Sequence, residues 1–141
     1  IIAGWMPTPG NGVDPGAPVV TGSAGDALDG YRQSARTLTG AFHFPGVLNQ
    51  LVTVPFGTVP GNVALHLRII DLLVHGWDLA QATGQAVRCP DALAEQEFQF
   101  TTAMLAGLPP DQRPFAPPQP VADDAPAIDR LAACLGRRVT T

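Results

Sequence analysis

Apolar positions recur with helical spacing in three long segments of the chain. Residues 26–44 carry apolar side chains at three- and four-residue steps, which predicts an amphipathic helix. Residues 61–82 are apolar on almost every side, which is typical of a helix that neighbours cover around most of its circumference. A third helix is predicted over 90–107, and a short C-terminal helix over about 124–135.

The segments between these helices predict irregular links and one small β element. Residues 7–25 and 108–122 are dense in proline and glycine and show no apolar periodicity. Residues 48–60 (LNQLVTVPFGTVP) contain a short β-branched run interrupted by proline, which predicts a small hairpin or an extended crossing. The fold class expected is mainly α: three main helices and a short terminal helix, joined by long Pro/Gly-rich links.

Composition and charge exclude several classes of protein. The chain has 141 residues, 45% of them hydrophobic, and its formal net charge is −4, from twelve acids against eight bases that are all arginine. Because no basic run is present, we expect no binding to nucleic acid or to an anionic membrane surface. Charged residues interrupt the longest apolar stretch, 63–82, so we expect no membrane span. Two cysteines cannot build a disulfide framework, and we expect a reducing, cytoplasmic location.

One group of polar residues stands out on the most apolar predicted helix. Asp71, His75 and Asp78 follow at steps of four and three, so at about 100° per residue they share one side of the helix. Burying these groups without partners would cost several kcal/mol. An acid and an imidazole four residues apart form a two-point clamp for zinc or another divalent ion. The same spacing also fits a simple ion pair on a helix surface, or an acid–base pair.

The remaining candidates have weaker patterns. Asp78 and Trp77 are expected to support the metal ligands without touching the ion, and Trp77 is also a natural core anchor. His66 lies nine residues before His75, half a turn away on the helix, so the two cannot face one ion. His43 follows the first predicted helix and is expected to pack or to cap it. Both cysteines are expected to be isolated thiols.

Three stretches of the chain resemble a known family. Residues 71–84 (DLLVHGWDLAQATG) closely resemble the signature of the mycothiol-dependent maleylpyruvate isomerase-like metal-binding proteins, a branch of the DinB-like four-helix-bundle superfamily. Residues 54–65 (VPFGTVPGNVAL) resemble the stretch before that helix, and 121–137 (VADDAPAIDRLAACLGR) resemble the family's C-terminal helix. The resemblance covers nearly the whole chain, and it implies an up-down helical bundle in a single domain over 1–141.

The resemblance also implies a metal site. In the family a divalent metal, usually zinc, is held by a histidine of the first helix and by an acid and a histidine four apart on the third. The second pair corresponds to Asp71 and His75, whereas neither His43 nor His66 matches the first histidine. The resemblance therefore implies a chain that begins after the first helix. Loss of that helix would leave an apolar face open to homodimerisation or aggregation.

The chemistry implied by the resemblance is activation of a small thiol. A metal ion stabilises the thiolate of a cosubstrate such as mycothiol, and the thiolate then adds to and leaves a small-molecule double bond. This implies an isomerase or S-transferase-like enzyme, and the arginine-only composition suits a high-GC actinobacterial source. Two other functions stay open: a structural or interaction module whose stripe pairs with an arginine such as Arg32, Arg36 or Arg130, and a metal-dependent hydrolase.

Overall fold

A computed structural model describes residues 24–54, 57–109, 111, 113 and 115–139, so most of the predicted connector over 7–25 lies outside the described residues. The described chain is mainly helical, with one small two-stranded antiparallel sheet, which confirms the predicted fold class at that level. None of the helices in these residues is long and apolar enough to cross a membrane. The elements, in chain order, are α1 (Ala24–Phe42), a 3₁₀ turn (Val47–Asn49), β1 (Leu51–Val54), β2 (Gly57–Pro60), α2 (Gly61–Thr83), α3 (Asp91–Ala106) and α4 (Ala127–Cys134).

Contacts between residues group the chain into two compact units, Ile1–Leu65 and His66–Thr141. The single domain expected over 1–141 stays a prediction. In the first unit the small hairpin is confirmed: β1 and β2 pair antiparallel, with Leu51 opposite Pro60. Because Pro60 occupies the last position of β2, its missing N–H interrupts no further pairing within the strand.

The second unit is built on one hydrophobic core shared by α2, α3 and α4. From α2, Ile70, Val74 and Trp77 enter it at four- and three-residue steps, which places them on one face of the helix. Ala94 and Leu105 of α3 join them. Helix α4 and the residue after it contribute Ile128, Leu131, Ala132 and Leu135.

Between Leu72 and Leu79, the side of α2 away from this core is left open by the described residues. Leu72 and Leu79, one heptad apart, are both exposed, and His75 lies between them along the chain. The prediction that neighbours surround most of this helix is therefore wrong for this side. The reason is physical: an apolar sequence shows that a surface favours burial, but it does not show which surface the rest of the chain covers.

Candidate functional site

The polar stripe predicted on α2 is formed as the spacing indicates. Oδ1 of Asp71 lies 3.4 Å from Nε2 of His75, and Oδ2 of Asp78 lies 3.3 Å from Nδ1 of the same ring. The imidazole is thus placed between two carboxylates, one on each neighbouring turn. Its side chain is 62% exposed, so the stripe faces outward and not into a covered cavity.

Two arginines extend the stripe at its ends. Nη1 of Arg68 donates to Oδ2 of Asp71 at 2.9 Å, and Arg137 donates to both oxygens of Asp78, from Nε at 3.3 Å and from Nη2 at 3.1 Å. The guanidinium of Arg68 is almost fully buried; burial lowers its pKa, and the adjacent carboxylate opposes that effect. We call the set Arg68, Asp71, His75, Asp78 and Arg137 the charged stripe; each aspartate lies between the imidazole and an arginine.

The sequence predicted other arginines as partners of the stripe. Arg32 instead pairs with Asp29 on its own helix, 3.4 Å away, and Arg130 pairs with Glu95. Naming these arginines was wrong, because pairing across elements depends on which helices meet. The general idea, that the stripe pairs with arginine, is confirmed through the two arginines described above.

The indole of Trp77 lies on the core side of α2. It is buried, and its Nε1 donates to Oδ1 of Asp129 at 2.7 Å, which links α2 to α4. The expected role of Trp77 as a core anchor is confirmed. Its support of a metal ligand stays a prediction, since the hydrogen bond of the indole is made to α4.

The other two histidines have different environments. Nδ1 of His43 lies 2.8 Å from the carbonyl oxygen of Thr39, so the ring caps the C-terminal end of α1, as expected. His66 makes a contact that the sequence did not predict. Its Nδ1 lies 3.0 and 2.9 Å from Oε1 and Oε2 of Glu97, a residue of α3 whose side chain is fully buried.

A signal for this second pair exists in the sequence. Glu97 lies three residues after Ala94 and four before Thr101, and all three are fully buried. A glutamate in the register of a buried helix face requires a polar partner, because an unpaired buried carboxylate is costly. The spacing could therefore have indicated that a donor approaches α3 here, although not which donor.

The thiols show no sign of activation. Cys89 and Cys134 are both free, as expected, and burial raises the pKa of each thiol above its ordinary value. Cys134 also lines a cavity of about 110 Å³ together with Leu105, Arg113 and Phe115. A buried thiol with a raised pKa is a poor nucleophile, so this cavity does not present a reactive cysteine.

The geometry of Asp71 and His75 fits two ligands of a tetrahedral ion. Zinc lies about 2.0–2.2 Å from carboxylate oxygen and imidazole nitrogen, so two such ligands at a tetrahedral angle lie roughly 3.3–3.5 Å apart. The observed distance from Oδ1 to Nε2 is 3.4 Å. Among the described residues, however, no group of three or more His, Cys, Asp or Glu side chains is placed to hold a metal ion. A complete site therefore needs a further ligand from elsewhere.

Comparison with known proteins finds two similar sequences from Mycobacterium tuberculosis. The uncharacterized protein MT0763 of strain CDC 1551 / Oshkosh and the uncharacterized protein Rv0738 of strain ATCC 25618 / H37Rv are each 34% identical to this chain over 125 residues. The aligned region covers 87% of this chain and 69% of each relative. No protein-family model matches the chain, and no solved structure matches it significantly.

Proposed function

We propose that this chain, which belongs to the same family as the uncharacterized mycobacterial proteins MT0763 and Rv0738, binds a divalent metal ion. We also propose that it folds as a DinB-like helical bundle and belongs among the mycothiol-dependent thiol enzymes. The observation that carries the proposal is the pairing of Asp71 Oδ1 with His75 Nε2 at a distance suited to one tetrahedral ion. Zinc is the metal we propose, and the location we propose is cytoplasmic.

The two oxygens of Asp71 have separate partners, which makes the pair compatible with metal binding. Arg68 donates to Oδ2, whereas Oδ1 faces His75. A metal ion between Oδ1 and Nε2 would thus leave the arginine contact in place. On the other side of the ring, Asp78 lies where it can accept a hydrogen bond from Nδ1–H and so orient the imidazole.

We propose that the third ligand comes from a further helix that packs against this part of α2. Leu72 and Leu79 flank His75 on the uncovered side of α2. A helix that packed on these leucines would bury their side chains and bring a ligand close to His75, which is how helical bundles assemble metal sites. A second copy of this chain is the other occupant that this apolar surface could accept, as a homodimer.

The chemistry we propose is activation of a small-molecule thiol such as mycothiol. A bound zinc ion stabilises a thiolate at neutral pH, which is the nucleophilic form of the thiol. Asp71 and His75 hold the ion, and Asp78 holds the ring of His75 in its ligating orientation. The substrate class is a small molecule whose double bond the thiolate attacks, in an isomerase or S-transferase-like reaction.

Calorimetric zinc titration tests the proposal. The protein should bind zinc, and the double variant Asp71→Ala/His75→Ala should lose at least about tenfold in affinity. His43→Ala is the matched control, because it removes an exposed histidine that caps a different helix. Unchanged zinc affinity in the double variant contradicts the proposal.

A structural or interaction module is the second candidate, because the charged stripe pairs its own charges without any metal ion. Both carboxylates have arginine partners, and the imidazole lies between them. The two candidates differ in their response to a chelator. A metalloprotein loses stability when EDTA removes the ion, whereas a module held by ion pairs shows the same melting temperature with and without EDTA.

A further inference from the structure

A second imidazole–carboxylate pair lies on a different side of α2 from the charged stripe. His66 precedes His75 by nine residues, which is half a turn around the helix. Its Nδ1 contacts both carboxylate oxygens of Glu97, and its ring stacks on Phe100 with centroids 4.2 Å apart and planes 13° apart. The ring is thus held both by its Nδ1 edge and by one face.

The partner of Nδ1 determines which nitrogen is available. Glu97 is 0% exposed, and its Oε1 also accepts a hydrogen bond from Nε2 of Gln96. Both carboxylate oxygens of Glu97 lie within 3.0 Å of Nδ1, an arrangement that suits a proton on Nδ1 and leaves the lone pair of the neutral ring on Nε2.

The same nitrogen is the accessible one. The side chain of His66 is 27% exposed, although its Nδ1 edge meets a fully buried carboxylate and one face is covered by Phe100. Among the described residues, Nε2 of His66 is not one of the buried side-chain polar atoms that lack a hydrogen-bond partner, so solvent reaches this nitrogen. Within the described residues, no group lies within hydrogen-bonding distance of Nε2 and none completes a metal site around it.

We propose that His66 and Glu97 form a second functional site, in which Nε2 of His66 accepts a proton from the O–H or S–H group of water or a small molecule. The proton moves to Nε2, and the bonding electron pair stays on the oxygen or sulfur, which becomes the nucleophile. The imidazolium that forms is stabilised by the adjacent carboxylate. His66 is the catalytic residue, and Glu97 is a positioning residue that acts through it. The proposal does not depend on zinc binding at Asp71 and His75.

Nitrogen-15 NMR of the histidine rings in the labelled protein tests the proton assignment. We expect His66 to be the Nδ1–H tautomer, and we expect its Nε2 resonance to shift in Glu97→Gln, which keeps an acceptor oxygen but removes the charge. A purely structural role for the pair would not require this shift. A proton found on Nε2 of the neutral ring would overturn the proposal.

Reactivity of Nε2 gives the second test, with His43 as the matched control. The Nδ1 of His43 also has an oxygen partner, but that oxygen is a backbone carbonyl without charge. Acylation by diethyl pyrocarbonate, followed by peptide mass spectrometry, should be about tenfold faster at His66 than at His43, and Glu97→Gln should remove the difference. Equal rates at the two histidines in the unmodified protein overturn the proposal even if the Glu97 variant does not fold.

Hydrolysis of p-nitrophenyl acetate tests proton transfer itself. Nε2 takes one proton from water as the water oxygen bonds to the carbonyl carbon; the bond to nitrophenolate breaks and acetic acid forms, which loses its proton to solvent as acetate, and the proton on Nε2 also passes to solvent. The rate should fall at least about tenfold in His66→Gln and in Glu97→Gln, and it should not change in His43→Gln. A rate that is unchanged in His66→Gln contradicts a general-base role for this residue.

Discussion

Replacing Gly136 by alanine tests how the C-terminal end of α4 is held. Gly136 has φ +86° and follows Leu135, the C-cap residue of the helix. Its N–H donates to Ala133 and the N–H of Arg137 donates to Ala132, both at 3.0 Å, which is the Schellman pattern of helix termination. A Cβ atom on Gly136 would lie 2.6 Å from the Cβ and 2.9 Å from the carbonyl oxygen of Ala116.

Gly84 provides a matched control at the end of α2. It has φ +66°, its N–H donates to Gln81, and the following N–H, that of Gln85, donates to Ala80, so the pattern is the same. A Cβ atom on Gly84 would meet nothing within 4 Å. Either substitution costs about 1–2 kcal/mol of left-handed backbone strain. Only Gly136→Ala also displaces the backbone of Ala116, which adds about 1–3 kcal/mol of overpacking.

Urea denaturation followed by circular dichroism measures the two free energies of unfolding. Gly136→Ala should lower this free energy by about 1–3 kcal/mol more than Gly84→Ala does. The larger loss has a consequence for the charged stripe, because Arg137, which pairs with Asp78, is the residue after Gly136. Equal losses in the two variants would refute the close packing of residues 115–118 against the end of α4.

Two further predictions concern buried groups. Trp77→Phe removes the donor to Asp129 Oδ1 and should lower the free energy of unfolding by about 1–3 kcal/mol, whereas Asp129→Asn keeps an acceptor and should cost less in the same urea experiment. Because burial raises the pKa of the Cys134 thiol, the folded state favours the protonated thiol. The stability that this preference contributes is present below the pKa of the thiol in the unfolded state, and it is lost as pH rises through the pKa in the folded state. Iodoacetamide labelling of Cys134 in the folded protein should therefore need a higher pH than labelling in urea, and identical pH profiles would contradict the burial.

Local features of the fold were predictable because they depend on neighbours in sequence. The spacing of Asp71, His75 and Asp78 determines that they share a side of α2, and the structure places them in ion-pair contact. The short β-branched run before a Pro-Phe-Gly sequence predicted the hairpin of β1 and β2. Proline before α4 and glycine after it predicted both ends of that helix to within about three residues.

Features that depend on contacts between helices were not predictable from one sequence. Arg137 meets Asp78 across 59 residues, and His66 meets Glu97 across 31. Neither pair follows a helical or strand period, so no local pattern indicates which residue the partner is, even where the position of Glu97 indicates that a partner is needed. The exposure of Leu72 on α2 has the same cause. An apolar side chain predicts burial, but only the packing of the other helices decides whether that side chain is buried.

The charges of the stripe decide how a metal ion could be accommodated there. When the imidazole is neutral, the charges of the two arginines and the two aspartates sum to zero, so the stripe needs no bound ion to be electrically neutral. A bound dication would leave an excess of positive charge on an exposed surface, and this excess favours an anionic ligand over a neutral one. Thiolate is such a ligand, and the balanced stripe therefore supports zinc binding coupled to thiol deprotonation more than binding of zinc alone. In a titration in weakly buffered solution, proton release on adding the thiol to the zinc-loaded protein follows from this coupling, and its absence argues for the structural module.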